Sequence, residues 1–465
     1  MRTDPLPRLV VVCLVIGSVV GCSAGNPLPS APRAGAASAP ASATPRTSAA
    51  APTAASSPAT GADAPPAAWL LVGRPGQPDL HLVMATTGEI QEMAVPDGAP
   101  APNWQRVVTA TLDGASTIVR NPIVQPGYGG PELRIDGHWR LPTVGLDPIP
   151  AGRSLDGSTI VLVDGAYDPS AKRSRFAIVE HHGVEGVSTA GDAPLRLARI
   201  IDLLGAFEYD TLSPDGRILY VVQHLDADAG GHYQVRAIDV GTGVMRDAVI
   251  VDKTHPDETM AGSPVAQVRR ANGLVLTLYR GPEHPFVHAL TTTEAWAICI
   301  DLPTTSTTDP VASLDWGLTP SANDATVFAV NASLGLAVEI DSGDLTVRRS
   351  ASIATTAGAS ISLAKFGHGE VGPTGRRVVA SPDGTLLFAA GRDGVTVIRT
   401  KDLVVVRYDL AGSTADALGI TPDGTTVFAL LHGSGEIAAV DAVTGRRLGT
   451  VPGKGFDRLL AVAPW

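Results

Sequence analysis

Two histidine pairs, His224 with His232 and His284 with His288, and one acidic run, Asp226-Ala227-Asp228-Ala229-Gly230-Gly231, have spacings in this 465-residue chain that suit metal chemistry. Imidazole is a common metal ligand, and each pair could meet across a loop, but spacing fixes no third ligand. His181 and His182 adjoin on a strand end, so their rings point to opposite faces and do not share an ion. The acidic run is similar to the opening of a calcium loop, where several carboxylate oxygens surround a hard cation at a sharp turn. It departs from the EF-hand pattern with Gly230 at the fifth position and Ala237 at the twelfth. An acidic turn is therefore the preferred reading, calcium at Asp226 and Asp228 is the lesser one, and no cofactor is expected.

Covalent chemistry finds little support. Cys299 lies in the apolar run AWAICIDL and reads as a small buried hydrophobe. The chain has no G-x-S-x-G elbow, C-x-x-C-H haem motif, H-E-x-x-H helix or phosphate-cradling loop. A formal net charge of −11 with no Lys/Arg-rich segment argues against nucleic acid as a partner, and none is expected, and it argues equally against a polybasic grip on anionic lipid.

The N-terminus places whatever chemistry there is outside the cytoplasm. Residues 9–21, LVVVCLVIGSVVG, follow Arg2 and Arg8 and are too short for a comfortable membrane span, so 1–21 reads as a signal peptide. The run ends in Val19-Val20-Gly21-Cys22, which resembles the bacterial lipobox; the resemblance implies cleavage before Cys22 and a diacylglycerol on its thiol. Residues 22–66 are almost wholly Ala, Pro, Ser, Thr and Gly and cannot bury a core. Extended at proline-rich spacing, this stalk would hold a domain on the order of 100 Å from the lipid.

The elements that must position the histidines and carboxylates lie in 67–465, where short Val/Ile/Leu/Thr runs alternate with Gly, Asp and Pro turns and no 3.6-residue period persists. The domain is predicted all-β. Ser213-Pro214-Asp215-Gly216, Ser381-Pro382-Asp383-Gly384 and Thr421-Pro422-Asp423-Gly424 each sit between two apolar runs, and their residue types make a tight hairpin turn. Weaker versions stand at Thr111–Gly114, Ser154–Gly157, Arg270–Gly273 and Thr319–Ala322. Each turn joins a first strand to a second. A third strand then ends in Asp plus a Gly turn, as in YQVRAIDVGTG, and a fourth follows. Four-stranded repeats of this kind are propeller blades.

These repeats resemble the YVTN-type bacterial β-propellers, most closely over 207–251, 375–410 and 415–451. The resemblance implies a fold and no activity. The C-terminal RLLAVAPW reads as a first strand whose second, third and fourth partners are the strands of 69–95, so the termini share a blade and close the ring. Seven turns and the closing blade predict eight blades, with seven as the alternative.

In such a ring the second-to-third and fourth-to-first connections share one face. Long segments at 121–132, 164–175, 224–233 and 280–288 are assigned to the former, and 190–200, 251–264 and 355–375 to the latter, while the turn face is expected to be uniformly short. Loops on a rigid scaffold carry binding residues. Tyr128, Asp164, Tyr167, His224, Asp226, Asp228, His232, His284 and His288 are thus the candidate binding residues of a monomeric lipoprotein that meets a protein or glycan, with a lactonase-like hydrolase at the axial channel as the alternative.

Overall fold

The computed structural model describes residues 65–463 apart from 76–78, 89, 97–98, 101–105, 122–130, 143–151, 166–172, 182–193, 226–230, 257–258, 282, 305–311, 313–314, 354–374 and 454. Cys22, Tyr128, Tyr167, Asp226 and Asp228 lie outside the described residues. Eight antiparallel sheets of four strands form an eight-bladed β-propeller, one sheet carrying a short fifth strand. The predicted closure holds: Arg458–Val462 pairs with Trp69–Gly73, and Asp79–Met84 and Ile90–Pro96 complete blade 1.

Blades 4 to 8 keep the expected strand order. Blade 4 comprises Ala206–Leu212, Ile218–His224, His232–Asp239 and Met245–Ile250, with Met260–Ala261 added against His232 and Tyr233. Blade 5 comprises Ser263–Arg269, Leu274–Arg280, Pro285–Thr291 and Trp296–Asp301. Blades 6, 7 and 8 begin at Trp316–Pro320, Val378–Ala380 and Ala415–Ile420.

The Ser-Pro-Asp-Gly turns are built by their own side chains. Gly216 N donates to Ser213 O at 2.9 Å, Ser213 Oγ donates to Asp215 Oδ1 at 2.7 Å, and Ile218 N donates back to Ser213 Oγ at 2.9 Å. The same bonds recur around Ser154, Ser381 and, with Asn323 in place of Asp, around Ser321. Hydrogen bonds from Ser213, Ser381 and Thr421 lead the causes that hold the Asp215, Asp383 and Asp423 carboxyls below the usual range. These carboxylates are committed to the turn.

Blade-to-blade packing repeats as well. Tyr220, Phe328, Phe388 and Phe428 sit at matching second-strand positions, are buried, and pack against the following blade. Burying one such ring contributes about 1.5–3 kcal/mol.

Three expectations are corrected. Thr111–Gly114 joins the second and third strands of blade 2, whose order is Ala99–Pro100, Val107–Asp113, Ser116–Arg120, Glu132–Asp136. The first strand is only two residues long, so the pattern slipped by one strand. Segment 121–132 therefore holds a third-to-fourth connection, on the turn face. In blade 3 (Trp139–Arg140, Thr159–Asp164, Arg173–His181, Leu195–Leu204) the connection after His181 is likewise third-to-fourth, and 195–200 is strand. His181 N donates to Ser158 O at 3.1 Å, which places His181 beside the Ser154 turn. Long connections thus occur on both faces. Finally, the blade 6 turn is Ser321–Asp324, two residues beyond the expected place, because Pro320 still pairs with Val327. Asp324 takes the left-handed backbone there (φ 61) that Gly supplies in the other turns.

Candidate functional site

Blade 5 departs from the repeat in its turn and, separately, in the residues of one cross-strand row. Its turn is one residue shorter: Arg270 N donates to Leu274 O, four positions on, whereas Ser213, Ser321, Ser381 and Thr421 reach five positions on. The second strand keeps the alternation of its neighbours: Val275 and Tyr279 pack toward blade 4 and Leu276 and Leu278 toward blade 6, as Val327 and Phe328 pack toward blades 5 and 7. Thr277, in phase with Val275 and Tyr279, lies in a cross-strand row of Gln267, Thr277, His288 and Cys299. The matching rows begin Leu318, Ala329, Val338 in blade 6, Val378, Ala389, Thr396 in blade 7 and Leu418, Ala429, Ala438 in blade 8. Amide and imidazole stand where the other blades carry mostly aliphatic carbon.

Blade 4 supplies the facing groups. Asp210 sits at a bulge in the first strand, between the pairs Tyr209↔Val221 and Thr211↔Tyr220, and is 3% exposed. A bulge re-aims a side chain that the pleat would otherwise place. Gln267 Nε2 donates to Asp210 Oδ1 at 3.1 Å and to Thr277 Oγ1 at 3.0 Å. Burial pushes the Asp210 carboxyl up to about 7, against the Gln267 amide, which favours the charged form. His288 is 1% exposed; burial pushes its imidazole down to about 4, opposed by the Asp252 charge. His288 is therefore neutral at physiological pH, and its Nε2 has no hydrogen-bond partner, as is also true of Gln267 Oε1.

Asp252 is 4% exposed and accepts from Cys299 N at 2.7 Å and from Thr254 N at 2.7 Å. Burial pushes its carboxyl up, but the hydrogen bonds from Thr254 and Cys299 outweigh it and the net displacement is downward. Tyr233 and Tyr279 stack at 5.1 Å between centroids, Tyr279 and Phe286 at 5.3 Å, and Tyr279 meets the His288 ring edge-on at 6.2 Å. Burial raises both tyrosine hydroxyls well above their ordinary value, so they stay protonated. The interior between blades 4 and 5 thus holds one carboxyl that exchanges a proton near neutrality, one neutral imidazole and a wall of stacked rings.

Among the described residues neither histidine pair forms a metal centre: His224 pairs with Tyr233, so His232, next to Tyr233 in the chain, faces the other side of the sheet, and His284 and His288 lie at different depths. His284 Nε2 lies 2.8 Å from Asp301 Oδ1 near the surface, while His288 sits inside the third strand opposite Thr277 and Cys299. His288 is a core residue, not a loop residue. His224 Nε2 lies 3.1 Å from Glu208 Oε2, and His232 is exposed at the start of the third strand of blade 4. Asp164 pairs with Arg175 at 3.2 Å, and Arg175 lies over the Trp139 ring. Among the described residues no group of three or more His, Cys, Asp or Glu side chains could hold a metal ion. Cys299 is half-buried. Sequence reasoning missed Asp210, Asp252, Gln267, Thr277, Tyr233 and Tyr279. Aligning the blades on their turns would have exposed Gln267, which replaces Leu or Val.

Fold and site together define an eight-bladed propeller with a polar seam between blades 4 and 5. No family model matches the chain, and no curated protein matches it in sequence. Solved structures similar to it include dihydro-heme d1 dehydrogenase NirN in complex with DHE (14% identity, 87% of this chain and 77% of that one, TM-score 0.49). Apo AztD from Citrobacter koseri is similar at 11% identity over 85% of this chain and 97% of that one, TM-score 0.48. A 6-phosphogluconolactonase-like protein from Bacteroides uniformis is similar at 13% identity over 84% and 97%, TM-score 0.43. Likeness at this level says nothing of chemistry.

Proposed function

We propose that the chain is an extracytoplasmic lipoprotein, anchored through diacylated Cys22, whose propeller binds a protein or glycan partner on the face of the second-to-third connections, over blades 4 and 5. The observation that carries the reading is the seam itself. Gln267 and His288 hold buried polar atoms without partners beneath the rim where His232, His284 and Glu208 stand near the surface. Interiors rarely keep such atoms unsatisfied unless the site has a use. The adjoining connection also carries Met260–Ala261, which adds to the edge of blade 4.

The test is paired substitution, His232→Ala with His284→Ala, against a control change at Asp383 on the turn face. Loss of captured glycan or protein in the first variant alone supports the reading; equal capture by both variants contradicts it. Membrane attachment is tested separately by Cys22→Ser, which should release the protein from membranes.

A second reading, hydrolysis of a lactone-like ester, rests on Asp210, whose carboxyl near 7 suits proton exchange with an attacking water. Asp210→Asn should then abolish turnover on a lactone panel; absence of any wild-type turnover disposes of this reading.

A further inference from the structure

Three arginines gather on the turn face, opposite the proposed binding rim. Arg106 leads into the second strand of blade 2, Arg153 pairs with Ile160 just before the blade 3 turn, and Arg269 ends the first strand of blade 5. Arg269 Nη1 donates to Arg153 O at 3.0 Å, reaching past blade 4 along the inner ring. Arg106 Nη1 donates to Asn121 O at 3.0 Å, and Asn121 Nδ2 lies 3.1 Å from His181 Nε2, which ties blades 2 and 3 together at this level.

Arg153 is the unusual member. Its guanidinium lies against its own turn, so close that a Cβ on Gly157 would stand 2.7 Å from Nη2. Nε and Nη1 are shielded from solvent and have no acceptor. Burial, and then the charge of Arg106, disfavour its charged form, while Asp156 favours it. Asp156 Oδ1 is already bonded to Ser154 Oγ, Ser158 N and Ser158 Oγ. An arginine remains charged at any physiological pH, so its two idle donors, with another cation beside them, describe half of an ion pair.

We infer that Arg153, with Arg106 and Arg269, forms a binding site for a small oxyanion, phosphate or carboxylate, at the inner edge of the turn face. Nε and Nη1 face different edges of the guanidinium, so an anion oxygen takes one or the other, and a charge-assisted contact of this kind would replace a missing acceptor. The inference is independent of the partner surface on the other face.

The full chain in detergent micelles, titrated calorimetrically at constant ionic strength with inorganic phosphate and separately with succinate, tests it. One saturable site per chain is expected for at least one of them, and the responding anion identifies the class. Arg153→Gln should weaken it by at least about tenfold, and Arg106→Gln by less. In anion-free buffer Arg153→Gln should melt no lower than the wild type, because it removes a buried cation with no partner. If Arg153→Gln fails to fold, Arg106→Gln decides. No saturable binding of either anion, or unchanged affinity in the variants, overturns the site.

Discussion

Asp210 and His288 are neighbours in one seam and titrate with opposite consequences for stability. The Asp210 carboxyl, raised from about 3.9 in an unfolded chain, binds its proton more tightly when folded. Its contribution is present below about pH 4 and is lost as the pH rises through about 7. The His288 imidazole, depressed from about 6.5, contributes above that pH and loses its contribution as the pH falls through about 4. Between pH 4 and 6.5 the two effects oppose each other, so the wild-type profile hides both. Asp210→Asn should therefore gain stability relative to the wild type between pH 5 and 8, by up to a few kcal/mol, read from denaturant midpoints. Parallel pH profiles for the two proteins would remove Asp210 from the seam's proton chemistry. The burial behind these shifts was not legible in the sequence: His288 lies in the apolar run FVHAL but at the end of a segment expected to be loop, and Asp210, although it stands three residues before its turn as Gln267 does, sits at a bulge that the turn spacing does not show.

The blade turns were the most legible elements and also the source of the one systematic error. Their residue types specify the hairpin locally, and Ser213, Asp215 and Gly216 make the bonds their chemistry suggests. What a turn cannot say is which pair of strands it joins. Blade 2 opens on a two-residue strand, and the first strand of blade 3 is reduced to Trp139–Arg140 and a bridge at Arg153, so strand counting slipped there. The two kinds of turn are physically different. Gly216 has φ +68 and a Cβ on it would stand 2.3 Å from Thr159 Oγ1 in the neighbouring blade, whereas Gly114 has φ +62 and open space around it. Gly216→Ala should cost more than Gly114→Ala, which bears only the backbone penalty of about 1–2 kcal/mol. Equal losses in thermal unfolding would contradict the strand assignment of blade 2.

For the whole molecule, closure by the two chain ends was readable because an orphan first strand and three partnerless ones stood at opposite termini. Leu459 and Leu460 are buried in that junction. Ending the chain after Gly455 would expose an edge of blade 1 and a strip of core. The truncated chain should unfold at lower temperature with reduced cooperativity and be cut within 69–96 by protease; unchanged protection would show that the terminal strand does not lock the ring.

On the proposed function, a partner is held on the rim over blades 4 and 5. Photo-crosslinking residues placed at His232 and His284, and at Asp383 as the opposite-face control, in the chain expressed in its own cells would test it most directly. Adducts are expected from positions 232 and 284 and none from 383. Adducts from 383 alone, or from no position, would contradict it.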